Sequence, residues 1–490
     1  MPTALVRNAE PLPITAIPVL DVSTFRLEIL EGVAAGRRLL FLGGMVPPGP
    51  ASRLLAALAD DRRGEIGLLT ADVTGSYPAL TPECPSAHYF EREIFEQFGI
   101  KPTGHPWLKP VRFPPGGPTI GNADFFAISG EEIHEVAVGP VHAGVIEPGH
   151  FRFNCHGERV LHLEIALGYQ HRGVEAALSG GPHKTSIHLA ETVAGDTTIG
   201  HTIAYCQALE GLAGTACSPR ALALRALALE LERIANHIGD LGALAGDVGF
   251  LPAAAYCGRL RGDTLNLTAE LCGSRVGRGW VRPGGVAHDV DTDRLAEMRG
   301  RLAAAECDMR NAVELMWKSS SLRARFETTA ILTREAALDL GAVGPAARAS
   351  GVDRDARRDF RQPLFARHRP DVSIGNDGDV FARAMQRWHE IENSVAFLRE
   401  TLDDPGDGSA LQPVGSLMPD ALVLSLVEGW RGEIVHLAVT DAQRRFMRYR
   451  IVDPSFRNWF ALAIAMRDQA ILDFPLCNKS FNLSYCGHDL

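Results

Sequence analysis

The chain has 490 residues, of which 46% are hydrophobic and 22% are charged, and its formal net charge is −10. This balance excludes a mainly disordered protein, because the apolar content is high enough for two or more cores and the net charge is small for the length. It also argues against a general nucleic-acid binder, since no run of lysine and arginine is long enough to follow a phosphate backbone.

No segment reaches the roughly 18 consecutive apolar residues that a membrane span requires. Residues 1–20 contain Arg7, Glu10 and several prolines, a composition that is atypical of a signal peptide. We therefore expect a cytoplasmic location, with any attachment to a membrane supplied by a partner. The nine cysteines include no C-x-x-C pair, so neither a disulfide framework nor a self-contained zinc or iron–sulfur site is expected.

Residues 21–115 are predicted to form a small α/β domain that follows a tail over residues 1–20. Strands are expected at 25–30 and 38–42, and helices at 51–61 and 88–98, the second of them ended by Gly99. A stretch rich in proline and glycine at 110–121 predicts a linker or an ordered loop, and we assign residues 116–135 as the linker.

Residues 136–490 are predicted to be a second, mainly helical domain. Short strands at 136–138, 150–154 and 159–165 precede long helices at 202–212, 219–244, 293–317 and 378–402. Strand-like residues return at 434–453, a helix is expected at 455–472, and the C-terminus is expected to be irregular. The predicted fold class is therefore α+β: a small α/β domain followed by a mainly helical domain with peripheral short sheets.

Several segments of the second domain occur in a fixed order. They are GPVHAGVIEPGHFR at 139–152, LGYQHRGVE at 167–175, ELERIANH at 230–237, RASGV at 348–352 and DPSF at 453–456. This series resembles the large subunit of membrane-bound group 4 nickel–iron hydrogenases, and it equally resembles the 49-kDa subunit of respiratory complex I. In the first domain, FEREIF at 90–95, FGI at 98–100 and GHP at 104–106 resemble the 30-kDa subunit of complex I. The order of the two parts resembles the large subunit of formate hydrogenlyase.

The resemblance implies a metal site whose ligands have changed. Catalytic hydrogenases hold nickel and iron with two C-x-x-C pairs, because soft thiolates suit these metals. The first pair would fall at residues 194–197, where Ala194 and Thr197 stand at the thiolate positions and Gly195 and Asp196 lie between them. At the second pair, near the C-terminus, Cys486 alone remains. We therefore expect no nickel–iron centre and no metal ligands in this chain.

The resemblance also implies a polar pocket. The tyrosine that holds quinone in complex I would fall at Gly195, and its histidine partner would be His142 or His150; both assignments stay open here. Glu147 with His150 resembles the proton-relaying element of hydrogenases, and Arg448 and Arg450 resemble basic residues that face the pocket. The candidate catalytic residues are thus Glu147, His150, Asp196, Thr197, Arg448 and Arg450, with His142 and His150 as candidates for a quinone-type pocket.

Each of these residues also has a structural interpretation. Asp196 and Thr197 are suited to cap the following helix, and Cys486 can be a buried, inert thiol. His171, Arg172 and Glu175 predict a buried ion pair at a turn between a strand and a helix. The alternating charges of residues 91–93 are typical of a solvated or subunit-contact face.

The leading hypothesis is a hydrogenase-like large subunit of a membrane-associated respiratory-type complex, without nickel, acting as scaffold and as an electron- and proton-coupling element. The resemblance implies a small iron–sulfur subunit that holds a cluster, membrane subunits like antiporters, a formate dehydrogenase as a further candidate partner, and a place on the cytoplasmic face of the membrane. The alternative is an active oxidoreductase that reduces quinone or evolves hydrogen from formate. A free-standing interaction module is a third hypothesis.

Overall fold

The computed structural model describes residues 3–45, 52–114, 116–360 and 362–490. Three residues that belong to predicted elements lie outside these ranges: Met1 and Pro2 of the tail, and Ala51 of the helix expected at 51–61. Pro115, the last residue of the predicted first domain, also lies outside them.

The first part of the chain is built around a five-stranded sheet in which β1, β6, β5 and β4 are neighbours in that order and β3 also pairs with β6. The elements are β1 (Ala4–Val6), β2 (Leu12–Pro13), β3 (Val19–Leu20), α1 (Val22–Ala34), β4 (Arg38–Met45), β5 (Ser52–Asp60), β6 (Glu65–Val73), β7 (Ser76–Pro78), α2 (His88–Phe98) and β8 (Lys101–Thr103). Residues 1–20, expected to be a tail, thus contribute strands to two different sheets, since β2 pairs with a strand near the C-terminus.

The second part contains a three-stranded sheet, long helices and a second large sheet. The elements are β9 (Ile133–Val138), β10 (His150–His156), β11 (Arg159–Ala166), α3 (Val174–Leu178), α4 (Ser186–Glu191), α5 (Thr198–Ala213), α6 (Pro219–Asp247), α7 (Leu251–Cys272), β12 (Val281–Arg282), β13 (Gly285–Val286), α8 (Thr292–Trp317), α9 (Ser320–Phe326), α10 (Arg334–Asp339), α11 (Gly344–Ala349), α12 (Ala356–Asp359), α13 (Val380–Asp403), β14 (Ala421–Gly429), β15 (Gly432–Thr440), β16 (Phe446–Val452), α14 (Pro454–Ala465), α15 (Phe474–Phe481) and α16 (Tyr485–Asp489).

The sheet of β16, β15, β14 and β2 separates the two hydrophobic cores of the molecule. Along β14, Leu422 and Leu424 belong to the N-terminal core, whereas Ala421 and Val423 belong to the core of the helical part. Successive residues of a strand point to opposite faces, so this sheet is covered on both sides. Every residue of β14 and β15 is accordingly buried.

The α+β class is confirmed, and the long predicted helices are present as α5, α6, α8 and α13. The predicted helix at 88–98 is confirmed as α2, and Gly99 ends it in the left-handed conformation with φ +67°. The prediction at 455–472 was too long, because α14 ends at Ala465. The C-terminus, expected to be irregular, forms α15 and α16.

Two predictions in the first domain were wrong. Residues 25–30 lie in helix α1, not in a strand, and the Asp21 side chain caps this helix by accepting from the backbone N–H groups of Ser23 and Thr24. Residues 52–60 form the strand β5 and not a helix. Leucine and alanine favour helix locally, but β5 lies between β4 and β6 and gains its hydrogen bonds and burial from them.

Candidate functional site

The loop at 194–197 leads directly into α5, and the first helical N–H groups are capped from another helix. Glu232 of α6 accepts hydrogen bonds from the backbone N–H of Ile199 at 2.7 Å and of Gly200 at 3.2 Å. Thr197, at the N-cap position, makes no side-chain capping bond. The interpretation of Asp196 and Thr197 as helix caps was therefore wrong, because the oxygens of the Glu232 carboxyl group take that role.

Asp196 instead forms a paired contact with an arginine that the sequence did not single out. The two terminal nitrogens of Arg431 donate to the two carboxylate oxygens of Asp196 at 2.5 and 2.7 Å. The Arg431 guanidinium lies over the Trp430 ring, 4.0 Å from its centroid. Burial by itself would raise the pKa of Asp196, but the adjacent guanidinium outweighs it and lowers that pKa below its ordinary value. Asp196 is therefore a carboxylate engaged in an ion pair.

Glu232 has the opposite electrostatic environment. Burial raises its pKa from 4.5 to about 8, although two backbone N–H groups favour its charged form. The carboxyl group lines a small cavity together with Gly195, Asp196 and Asn236. A carboxyl group with such a pKa holds its proton at neutral pH and can exchange it there. Residue-level reasoning missed Glu232, although it lies within the segment at 230–237 that carried the family resemblance.

The loop between β9 and β10 contacts the start of α16. The backbone N–H of Cys486 donates to the Glu147 carboxylate at 3.4 Å, and the Cys486 sulfur lies 3.4 Å from the Ser484 hydroxyl. Burial raises the pKa of the Cys486 thiol to about 11, and the nearby Glu147 carboxylate adds to this effect. Cys486 is thus a protonated thiol at neutral pH.

The two candidate histidines have different surroundings. The Nδ1–H of His142 donates to the Pro140 carbonyl at 3.3 Å, which leaves Nε2 to accept from the Tyr485 hydroxyl at 3.3 Å. His150 contacts the Gly139 carbonyl at 3.4 Å, and its buried Nε2 has no hydrogen-bond partner among the described residues. Burial lowers the pKa of His150. His142 is therefore the histidine that forms a tyrosine–histidine pair here, and the sequence did not predict Tyr485.

Arg448 and Arg450 lie at the junction with the first domain. Arg450 donates to Gln97 at 2.9 Å and to Glu175 at 2.5 Å and also pairs with Glu93, while Arg448 donates to Gln97 at 2.5 Å. These contacts connect β16 to α2 and α3. Among the described residues, the arginine that pairs with Asp196 is Arg431 rather than Arg448 or Arg450.

The expectation of a solvated or subunit-contact face at residues 91–93 was wrong, because all three side chains are buried within this chain. Glu91 accepts from the backbone N–H groups of Leu80 and Thr81, and Arg92 donates to the carbonyls of Lys109 and Pro110. The charged side chains of α2 therefore bind the backbone of the segments that precede and follow this helix.

His171, Arg172 and Glu175 do not form an ion pair with one another. Arg172 donates to the carbonyls of Thr192 and Val193 at 2.6 and 2.9 Å and to that of Cys486 at 3.1 Å. His171 contacts the Asp489 carbonyl at 2.8 Å. The predicted buried ion pair does not form among these three residues: His171 and Arg172 bind main-chain carbonyls, and Glu175 instead pairs with Arg450 of β16.

Two arginines therefore join the same two segments of the chain. Arg172 connects residues 192–193 to Cys486, and Arg431 connects Asp196 to the Asn482 carbonyl, to which its Nε donates at 2.5 Å. These are the segments in which the resemblance places the two cysteine pairs. The contacts are charge-assisted hydrogen bonds, which are stronger than neutral ones.

The donor groups at this place do not fit a nickel–iron centre. Ala194 has no donor atom, Asp196 is occupied by Arg431, and Cys486 offers one thiol whose burial favours the protonated form. In the part of the chain that the structure describes, no group of three or more His, Cys, Asp or Glu side chains is arranged to hold a metal ion.

Comparison with known proteins agrees with this fold. The family described as the respiratory-chain NADH dehydrogenase 49 Kd subunit matches residues 247–415, and the corresponding 30 Kd subunit family matches residues 55–119. The chain is 30% identical over 350 residues to the carbon monoxide-induced hydrogenase of Rhodospirillum rubrum, an alignment that covers 71% of this chain and 97% of that protein.

Two further relatives are a hydrogenase component and an NADH-quinone oxidoreductase subunit. Hydrogenase-4 component G of Escherichia coli (strain K12) is 29% identical over 445 residues, which are 86% of this chain and 77% of that protein. An NADH-quinone oxidoreductase subunit of Clostridium beijerinckii is 29% identical over 322 residues, which are 65% of this chain and 87% of that protein.

The fold and the site thus define a large subunit of the hydrogenase type from a respiratory-type oxidoreductase complex. The chain belongs to the family that comprises the large subunits of membrane-bound hydrogenases and the 49-kDa subunit of complex I, with a 30-kDa-type part fused before it. Its relatives are parts of multisubunit, membrane-associated complexes. None of the helices among the described residues is long and apolar enough to cross a membrane.

Proposed function

We propose that this large subunit carries no nickel–iron centre and serves as the scaffold and the proton- and electron-coupling element of its complex. The observation that carries the proposal is the Asp196–Arg431 pair, which occupies the loop where thiolates would be needed. A carboxylate held by a guanidinium is a poor ligand for a soft metal. Glu232, whose pKa is about 8, supplies a group that can take up and release a proton near neutral pH.

In this proposal the partners are a small iron–sulfur subunit and antiporter-like membrane subunits, and the complex lies on the cytoplasmic face of the cell membrane. The cluster nearest the site would be held by the small subunit. A formate dehydrogenase is a further candidate partner, supported by the match to formate hydrogenlyase subunit 5 of Escherichia coli, which is 27% identical over 437 residues.

The test is a metal analysis of the complex purified through a tag on this chain. We expect iron from the small subunit and nickel well below one atom per chain, measured by plasma mass spectrometry after dialysis. The Thr197→Cys variant should not gain nickel, because one restored thiol together with Cys486 leaves the donor set of two cysteine pairs incomplete. Stoichiometric nickel in the unchanged complex would overturn the proposal.

A second candidate function is favoured by the Tyr485–His142 pair, in which a phenol and an imidazole lie 3.3 Å apart beside Glu147. The Tyr485 hydroxyl can turn away from His142 Nε2 and donate to a carbonyl oxygen of a quinone, so an active quinone reductase, or a formate-linked hydrogen-evolving enzyme, is the alternative. Decylubiquinone reduction and hydrogen release from formate by the complex test it. Tyr485→Phe, Glu147→Gln and Asp196→Asn should lower such turnover, whereas His156→Gln, on an exposed part of β10, serves as the control. Turnover that all three variants retain would exclude this site as its origin.

A further inference from the structure

A groove with a basic rim opens on the surface of the helical part, away from the site loop. Its volume is about 490 Å³, and it lies between the residues that follow α3, the middle of α5 and the segment at 414–417. Its floor is formed by Ile187, Tyr205, Leu209 and Leu417, each of which is at most 9% exposed. We call this feature the basic groove. Its volume falls within the range of about 300–1,000 Å³ that is usual for small-molecule sites.

The rim of the basic groove is cationic. The cationic side chains of Lys184, Arg282 and Arg444 line it together with His183, and no aspartate or glutamate does. None of these four side chains takes part in an ion pair within the described ranges of the chain. Because no carboxylate lines the groove, these cationic groups create a local positive potential that would attract an anion, although the chain as a whole carries a net charge of −10.

The combination of floor and rim restricts the chemistry of an occupant. A cation is excluded by the charge of the rim, and a small inorganic anion would leave the apolar floor in contact with water. An apolar molecule without charge would leave the cationic groups unpaired. An occupant that satisfies both parts has an anionic head group and an apolar body, since burial of the body and pairing of the head each contribute to affinity.

We propose that the basic groove binds an amphipathic anion, a carboxylate or phosphate carried on an apolar chain or ring. The head group lies between Lys184 and Arg444, and the apolar body lies on Tyr205 and Leu209. This proposal does not depend on the presence or absence of a metal at the site loop.

The occupant would lie against elements that lead to the site. Tyr205 belongs to α5, which begins directly after the site loop, and its ring centroid is 6.0 Å from that of Tyr449. The Tyr449 hydroxyl bonds to His436 at 2.8 Å, His436 bonds to His201 at 3.1 Å, and His201 bonds to the Asp453 carboxylate at 3.0 Å. The Tyr205 side chain therefore lies between a ligand in the basic groove and Tyr449, the first member of this buried hydrogen-bonded series.

Calorimetric titration of the purified full-length chain tests the proposal, with dodecyl phosphate as the probe at concentrations below its aggregation threshold. We expect saturable binding of one equivalent, no detectable binding of inorganic phosphate, and at least tenfold weaker binding of dodecyltrimethylammonium. Lys184→Glu and Arg444→Glu should each weaken dodecyl phosphate binding at least tenfold, which equals about 1.4 kcal/mol. Both side chains are exposed, so these variants should fold; circular dichroism verifies this.

The matched control is Lys101→Glu, an equal charge change at an exposed position outside the groove. If Lys101→Glu weakens binding as much as Lys184→Glu does, or if the cationic amphiphile binds as tightly as the anionic one, the proposal is overturned. Co-sedimentation with vesicles of phosphatidylglycerol, compared with phosphatidylcholine, separates the sources. If the chain sediments with phosphatidylglycerol vesicles and Lys184→Glu abolishes this sedimentation, the ligand is a lipid head group. If the chain binds dodecyl phosphate but does not sediment with the vesicles, the ligand is a free amphiphile. Absence of binding in both assays overturns the proposal.

Discussion

The raised pKa of Glu232 makes a specific prediction about stability. Its carboxyl group has an ordinary pKa of 4.5 and a folded-state pKa of about 8 because burial disfavours the charged form. The folded protein therefore holds this proton more tightly than the unfolded chain does, and the fold loses stability as the pH rises from about 4.5 to about 8. At about 1.4 kcal/mol for each pH unit, the difference of about 3.5 corresponds to about 5 kcal/mol.

The Glu232→Gln variant lacks this titration but keeps an amide oxygen to accept from one helical N–H. Urea unfolding at intervals between about pH 4 and about pH 9 should show the variant gaining stability relative to the unchanged chain as the pH rises, by up to about 5 kcal/mol, with a plateau above about pH 8. Glu335→Gln, at an exposed position of α10, controls for the substitution itself. A constant difference between Glu232→Gln and the unchanged chain at every pH would refute the assignment of a protonated Glu232.

Three further outcomes follow from contacts of the structure. Arg450→Gln breaks buried ion pairs with Glu93 of the first domain and with Glu175 of α3 and should lower the free energy of unfolding in urea by about 3–5 kcal/mol; a change below about 1 kcal/mol would contradict it. Gly211→Ala places a methyl group 2.1 Å from the Ala9 carbonyl oxygen, so it should cost about 1–3 kcal/mol in the same assay, and unchanged stability would show that the contact is absent. Burial raises the pKa of the Cys486 thiol to about 11, and iodoacetamide at about pH 7.5 should modify the exposed Cys307 but leave Cys486 intact in peptide mass spectra; equal modification would contradict this.

The helical part of the fold was largely predictable because its signals are local. The predicted helix at 219–244 corresponds to α6, which begins with Pro219 after a Ser218 cap and carries a long apolar stripe. The strand β5 was not predictable in the same way. Its leucines and alanines favour helix, and only pairing with β4 and β6 determines that the segment is extended. Local propensity is weaker than such tertiary context.

The sequence indicated which loops contain the candidate site, but not which side chains pair with one another there. The family segments singled out the loop at 194–197, Glu147 and Cys486, but not the contact between the Cys486 backbone N–H and the Glu147 carboxylate. Arg431 was missed because it lies 235 residues away from Asp196 and follows a strand without any motif of its own. Tyr485 was missed for a similar reason, since its partner His142 is 343 residues distant. No spacing rule connects positions that only the completed fold brings together.

Arg431 holds the loop at 194–197 in place, although the side chains of this loop do not fit a nickel–iron centre. A bimetallic centre with two cysteine pairs would cross-link the loop at 194–197 to the C-terminal segment. Here Arg431 makes that connection by binding Asp196 on one side and the Asn482 carbonyl on the other, and Arg172 makes a second one to Cys486. Arg431 follows β14, a strand buried between the two cores, so its position is fixed by the sheet rather than by the site. The connection between the loop at 194–197 and the C-terminal segment is therefore made by two arginine side chains, and the position of Arg431 is set by the adjoining strands β14 and β15.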